Sequence, residues 1–307
     1  MIKGKRYFLS IFTILLSYAF NAEKYIETTI KSVINQNCSE LEYIVLDGGS
    51  TDGTVDIIKK YSDKISYWHS KKDNGQYFAL DEGLRMATGD VVCWLNADDM
   101  FLPWTLSVVE KIFTEYDQVE WITGLPGFLD KNNNYTAIRS EPTAYSQKSI
   151  SKGWHSVFLY GDIQQESTFW RKSLYVESGG LDLNLKYAAD FKLWKQFAKF
   201  AELYQLLIPV SSFRRLEGEQ ISSVHKDQYR DEVSRASSYS WLAKLLISIN
   251  QKSLIFRSLF KMIVLKKGKF IAYSKYNNKW KIISFITSVS NSSFSNLIAE
   301  FFLKNKN

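Results

Sequence analysis

Two adjacent acids, Asp98 and Asp99, close the stretch Trp94-Leu95-Asn96-Ala97-Asp98-Asp99, directly behind an apolar run over residues 90–95. Neighbouring carboxylates after so apolar a run repel one another unless a cation or protons relieve them. Oxygen ligands alone suit a hard divalent ion, Mg2+ or Mn2+. Such an ion would bridge the diphosphate of a nucleotide-sugar and neutralise the charge that develops as the diphosphate leaves. The competing reading makes Asp99 the cap of a helix starting at Pro103. Asp47 ends a second apolar run, where a carboxylate can accept from a base N–H or a ribose hydroxyl, or simply hold a turn. Asp73 is the third acidic position of this kind.

These acids matter because of what must carry them. In open α/β sheets, ligands bind beyond the carboxyl ends of the strands. The chain reads as strand and helix in alternation. An apolar strand over 7–18 is followed by a helix with Ile26, Ile30, Val33 and Ile34 on one face. A strand over 41–47 then leads through Gly48 to Asp52 into a helix that buries Val55, Ile58 and Tyr61. A strand over 65–69, a helix striped by Tyr77, Leu80, Leu84 and Ala87, and a strand over 90–95 complete the series. The pattern implies a mostly parallel sheet flanked by helices. Beyond residue 119 the spacing predicts a strand over 119–123 and two strands over 127–139 joined at Asn132, Asn133 and Asn134. A helix over 188–201, with Phe191, Trp194, Phe197 and Ala198 inward, and a strand over 204–210 follow.

Of the 39 basic and 32 acidic residues, residues 241–307 hold 12 and 1, leaving 27 and 31 for residues 1–240. The positive charge therefore belongs to the tail and not to the body. Leu242, Leu245, Leu246 and Ile249, then Phe256, Leu259, Phe260 and Ile263, recur at helical spacing among lysines and arginines. Such helices suit an anionic membrane surface; the competing reading packs them on the body with a basic outer face. Boundaries at 1–235 for an α/β domain and 236–307 for a basic helical segment follow. No nucleic-acid motif accompanies the charge. Lys3, Lys5 and Arg6 before the first apolar run imitate a secretory signal, but the run is short for a membrane helix and is read as strand one. Two cysteines, Cys38 and Cys93, fit a reducing compartment. Dinucleotide and Walker loops fail on spacing: no G-x-G-x-x-G occurs, and Thr54 stands where a Walker lysine is needed.

Three segments together, Asp47-Gly48-Gly49-Ser50-Thr51-Asp52-Gly53-Thr54, Asp73-Asn74-Gly75-Gln76, and Gly89-Asp90 leading to Trp94 through Asp99, resemble the inverting family 2 glycosyltransferases of the GT-A fold. Gln165 to Arg171, Gly179-Gly180-Leu181-Asp182 and Tyr187 through Trp194 extend the resemblance to roughly residues 7–225. It implies a nucleotide-sugar donor contacted by Asp47, Asp73, Gly75, Asn96 and Asp98, with Asn96 and Asp98 at the two ends of the family's D-x-D motif and Asp98 on a Mg2+ or Mn2+ ion. Asp190 becomes the catalytic base that takes the acceptor hydroxyl's proton, with inversion at the anomeric carbon. The acceptor implied is a glycan or polyprenyl-linked sugar in surface polysaccharide assembly, with the protein cytoplasmic and peripheral on the inner face of the cell membrane. Asn96 departs from the commoner first acid, and Phe78, Asp81 and Glu82 depart from the usual small polar pattern. Leu216 stands where a histidine is frequent, with His225 as a substitute metal or phosphate contact or a plain surface histidine. Trp170 and Arg171 either line the acceptor site or pack under the sheet. These departures keep open a non-catalytic nucleotide-sugar-binding or scaffold protein of the same fold.

Overall fold

The computed structural model describes residues 12–36, 38–139, 146–155, 162–216, 224–237 and 268–283. Its centre is a mixed sheet whose strands run, from one edge to the other, Lys279–Ile283, Lys269–Ser274, Leu203–Arg214, Trp121–Leu129, Thr168–Arg171, Val91–Asn96, Phe12–Ala19, Leu41–Asp47 and Tyr67–Ser70. The half built first in the sequence is wholly parallel. β1 (Phe12–Ala19) lies between β2 (Leu41–Asp47) and β4 (Val91–Asn96), and β3 (Tyr67–Ser70) pairs with β2 at the edge. The N-terminal apolar run is thus a strand over 12–19. Ser17 pairs in register with Asn96 and Ala19 with Asp47, so the carboxyl ends of three strands finish at one level.

Helices α1 (Ile26–Ile34), α2 (Thr54–Lys60) and α3 (Gln76–Met86) form the crossovers. The apolar stripes do what their spacing requires. Ile26, Ile30 and Val33 of α1 and Tyr77, Leu80 and Leu84 of α3 are buried; in α2 only Ile58 of the expected trio is fully so. α1 is also fastened to the acidic loop, since the buried Thr29 hydroxyl lies 2.8 Å from the Ala97 carbonyl and 2.7 Å from that of Asp99.

The second half departs from parallel pairing. After β5 (Met100–Phe101) and α4 (Thr105–Glu115), the chain forms β6 (Trp121–Leu129), which hairpins into β7 (Tyr135–Ile138). The segments expected as separate strands over 119–123 and from 127 are one strand. Gly124, Pro126 and Gly127 read as breaks, yet the sheet absorbs them as register shifts against β9 on either side of Leu125. A Cβ on Gly124 would stand 2.5 Å from the Val210 side chain, so the glycine permits the close approach of β6 and β9. The short α5 (Gln147–Ser151) precedes β8 (Thr168–Arg171), which runs antiparallel between β4 and β6. α6 (Lys172–Glu177), α7 (Ala189–Phe200) and β9 (Leu203–Arg214) follow. All four expected inward residues of α7 are buried, and Trp194 stacks on Trp94 and Trp121 at 5.7 and 5.8 Å.

α8 (Lys226–Ser237) then packs on α7. The helical stripe expected over 242–263 lies outside the described residues. Further along, the tail is strand and not helix: β10 (Lys269–Ser274) pairs parallel to β9 and turns into the antiparallel β11 (Lys279–Ile283). Phe270, Ile271, Ala272 and Trp280 are buried, and the Tyr116 hydroxyl donates to the Trp280 carbonyl at 2.5 Å. The turn signal was Asn277-Asn278, with Asn278 at φ 50°. The basic composition hid a hairpin that extends the central sheet.

Candidate active site

A cleft of about 900 Å³ opens over the carboxyl ends of β1 and β4. Its floor is Trp94, which also makes an edge contact with Trp170 at 5.2 Å. Four acids reach it from three parts of the chain: Asp98 after β4, Asp162 and Glu166 before β8, and Asp190 in the first turn of α7. Asn96 lines it as well. Residues 92 positions apart in sequence, Asp98 and Asp190, thus face one cavity.

The acidic loop divides its labour. Asp98 is half-buried and faces the cleft, while Asp99 is fully buried and does not. Asp99 is no helix cap: α4 starts at Thr105 without a side-chain cap, and Asp99 instead accepts from the Arg214 backbone N–H at 2.9 Å and the Asn96 amide at 3.2 Å. Burial, then the charges of Asp98 and Glu166, push the Asp99 carboxyl well above the usual range. Arg214 completes the brace, donating from Nε to the Asp98 carbonyl at 2.7 Å and lying over the Tyr25 ring. Asn96 therefore both lines the cleft and ties Asp99 down. As a donor set, one cleft-facing carboxylate and an amide fit a divalent ion that draws its remaining ligands from phosphate oxygens and water, the habit of Mg2+. Among the described residues no cluster of three His, Cys, Asp or Glu could hold a metal on its own.

Asp190 sits at the start of α7, where its Oδ1 accepts from the Phe191 N–H at 2.7 Å and approaches the Tyr77 hydroxyl at 3.4 Å. Part of its surface faces the cleft, yet the surrounding protein desolvates it. Burial raises the carboxyl to about 7, the Phe191 N–H and Tyr77 draw it down, and the charge of Asp162 raises it. The loop that delivers Asp190 is clamped from α8: buried Glu232 accepts from the N–H groups of Lys186, Tyr187 and Ala188 at 3.0, 2.9 and 2.9 Å. Glu166, 2 % exposed, is raised to about 8, first by burial and further by the charges of Asp98 and Asp190.

Asp47 holds the turn after β2. Its carboxylate is buried outside the cleft lining, accepting from the N–H groups of Gly49 and Ser50 at 3.0 and 2.9 Å and from the hydroxyls of Ser50 and Ser70 at 2.5 and 2.6 Å. Three of these bonds fall on Oδ2 and one, from the Ser50 hydroxyl, on Oδ1. The loop that Asp47 holds grips the cleft rim in turn. Ser50 Oγ accepts from Asn21 N at 2.8 Å, Asn21 Oδ1 from Thr51 N at 2.9 Å, and Thr54 Oγ1 from Ala22 N at 2.8 Å. Asn21, Ala22 and Tyr25 line the cleft. Asp73 and Gly75 also stand one step back: Asp73 Oδ1 accepts from Gly75 N at 2.8 Å, and Gly75, at φ 117°, turns the chain into α3, whose first residue, Gln76, lines the cleft.

The residues that cast doubt fall elsewhere. Phe78 is exposed, Asp81 pairs with Arg85 and Tyr175, Glu82 pairs with Lys71, and none of the three lines the cleft. Trp170 and Arg171 are buried in β8 and do not line the cleft, Arg171 donating to the carbonyls of Val119 and Phe113. Leu216 lines the cleft, whereas His225 stacks on Tyr187 at 4.9 Å, behind the lining. Sequence reasoning missed Tyr77, Asp162, Glu166 and Glu232 as site residues. Only Glu166 carried a signal, in the Gln165-Glu166-Ser167 stretch.

A family model described as Glycosyl transferase family 2 matches residues 16–169. The chain is 28% identical over 249 residues to an uncharacterized glycosyltransferase of Haemophilus influenzae, covering 75% of this chain and 74% of that one. It is 29% identical over 178 residues to an uncharacterized glycosyltransferase of Mycobacterium tuberculosis, covering 57% of this chain and 64% of that relative. Its structure is similar to S. aureus TarS 1-349 in complex with UDP-GlcNAc, with TM-score 0.53, 18% identity, and 78% and 71% of the two chains covered. It is also similar to the mannosyltransferase PcManGT from Pyrobaculum calidifontis in complex with GDP-Man and Mn2+, with TM-score 0.50, 15% identity, and 83% and 84% covered.

Proposed function

The chain belongs to glycosyl transferase family 2 with a GT-A-type fold, and on that premise we propose that it transfers a hexosyl group, with inversion, from a nucleotide-sugar to a glycan or polyprenyl-linked acceptor. The observation that carries this reading is the convergence of Asp98, after β4, and Asp190, at the start of α7, on one cleft. Asp98, with Asn96 beside it, would hold Mg2+ or Mn2+. When bound, the ion would supply positive charge to the diphosphate as it leaves. Asp190 accepts the proton of the acceptor hydroxyl as that oxygen attacks the anomeric carbon in line, and its raised carboxyl near neutrality suits a base. Tyr77 and the Phe191 N–H orient the carboxylate, and Glu232 fixes the loop that carries it. Asp47, Asp73 and Gly75 contribute to donor binding by shaping the rim and the start of α3.

A role in surface polysaccharide assembly, at the inner face of the cell membrane, is supported by the basic tail, which would meet anionic lipid. Among the described residues no helix is long and apolar enough to cross a membrane. Against a binding or scaffold protein, the departures at Phe78, Asp81 and Glu82 lie outside the cleft, whereas those at Asn96 and Leu216 line it. The test is turnover across a panel of nucleotide-sugars with Mn2+, with membrane extract as the source of acceptors. Metal-dependent turnover of one donor, lost in Asp98→Ala and in Asp190→Asn, is the expected result. Donor binding without any turnover would return the binding-protein reading.

A further inference from the structure

The turn before β8 carries three successive side chains into the cleft, Gln164, Gln165 and Glu166. The rest of that turn is bonded. Thr168 Oγ1 donates to the Gln164 carbonyl at 2.7 Å, and the hydroxyls of Ser167 and Ser211 share a hydrogen bond at 2.5 Å. The side-chain polar atoms are the exception. Gln164 Oε1, both amide atoms of Gln165 and Glu166 Oε1 are buried with no hydrogen-bond partner. Buried polar groups are nearly always paired, and a cluster of orphans along one wall of a cleft marks groups that a ligand satisfies. The orphans supply both a donor and acceptors, as a ring of hydroxyls requires.

Their place along the cleft says which ring. Glu166 lies within electrostatic reach of both Asp98 and Asp190. On the reading proposed above, the first holds the diphosphate side and the second the acceptor side. The ring between them is the one whose anomeric carbon breaks its bond to the diphosphate oxygen and forms one to the acceptor oxygen. We propose that Gln165 and Glu166 hydrogen-bond the hydroxyls of the transferred sugar, and that this sugar carries no carboxylate. The second part follows from charge. Four acids, Asp98, Asp162, Glu166 and Asp190, line the cleft against two cations, Lys226 and Arg230 of α8, so a sugar carboxylate there meets more like charge than opposite.

The experiment is calorimetric binding with the full chain and Mn2+, so that it reads affinity and not turnover. The probes are UDP and GDP, UDP-glucose, UDP-GlcNAc and GDP-mannose, and UDP-glucuronate as the charged counterpart of UDP-glucose. The proteins are wild type, Glu166→Gln, Glu166→Ala and Gln165→Ala. For the neutral sugar nucleotide bound most tightly, Glu166→Ala and Gln165→Ala are expected to weaken binding about tenfold, the scale of one lost hydrogen bond to a sugar. Glu166→Gln falls between, and the affinity for the free nucleoside diphosphate stays within about twofold of wild type. UDP-glucuronate is expected to bind at least about tenfold more weakly than UDP-glucose. Nucleoside diphosphate binding with the sugar nucleotides unmoved in both alanine variants, or tightest binding of the glucuronate, overturns this inference and leaves the transferase reading standing. Should Glu166→Ala fail to fold, half-buried Gln165 carries the same comparison. If wild type binds neither UDP nor GDP, the transferase reading falls and takes this inference with it.

Discussion

The cleft has two rims built on opposite principles. On the side of β1 and β2, the Asp47–Thr54 loop and residues 20–23 form a closed lattice, in which Asp47 accepts four hydrogen bonds and Asn21, Ala22 and Glu23 are tied to Ser50, Asp52 and Thr54. On the side of β8 and α7, polar atoms of Gln164, Gln165 and Glu166 are buried without partners, and Asp190 and Glu166 are pushed towards neutrality by burial. The first rim satisfies its polar atoms within the protein; on the reading proposed above, the second is completed by a ligand. Acidic residues at the ends of strands are therefore of two kinds here, those that hold the wall and those that face the cleft.

Substitutions on the two rims should separate turnover from stability. The largest expected effect is on the open rim: Asp190→Asn should lower kcat by about 10²–10⁴ with little change in melting temperature, as loss of a general base does. Asp98→Ala, or removal of divalent ions by chelation, should lower transfer by roughly 10²–10³, read as metal-dependent donor turnover. Next comes the pH profile. A base must be ionised, so kcat/KM should rise with pH through an apparent value of about 7. Asp162→Asn removes a charge that raises Asp190 and should move that limb to lower pH; an unmoved limb would sever Asp190 from it. On the closed rim the sign of the outcome reverses. Asp47→Asn should cost about 2–3 kcal/mol of stability, seen in denaturant or thermal melts, because an amide cannot accept all four bonds. The smallest effect is expected at Phe78→Ala, exposed and outside the cleft, within about 0.5 kcal/mol and with unchanged donor affinity.

Local pattern revealed the parallel half of the fold well. Strand two and the helix stripes at Ile26, Ile30 and Val33 and at Tyr77, Leu80 and Leu84 depend on near neighbours in sequence, and the structure has them where the spacing predicts. β6 was harder because Gly124 and Pro126 are breakers whose cost is absorbed by the partner strand β9, which no local window contains. The tail hairpin was masked by its lysines: Lys269, Lys279 and Lys281 alternate with buried Phe270 and Trp280, a period of two that is short and easily taken for a basic helix. At the site, the residues that converge were visible as motifs, but the division between them was not. Asp47, Asp73, Asp98 and Asp99 look alike as acids after apolar runs. Only the structure places Asp47 and Asp99 in buried hydrogen-bond sets and leaves Asp98 facing the cleft. Glu232, far along the chain on a polar helix, had no local mark at all.

The pairing of β10 with β9 orders events during synthesis. β9 is complete at Arg214, but the strand that covers its far edge begins only at Lys269. At about 5–20 residues per second, the ribosome needs roughly 3–11 s to make the residues between them. Through that interval the nascent sheet presents the Tyr204 to Leu206 stretch of the β9 edge, which β5 does not cover, to any other strand in the cell, a template for mispairing. A chain that stops short of the hairpin would keep that edge bare for good, even with its cleft intact.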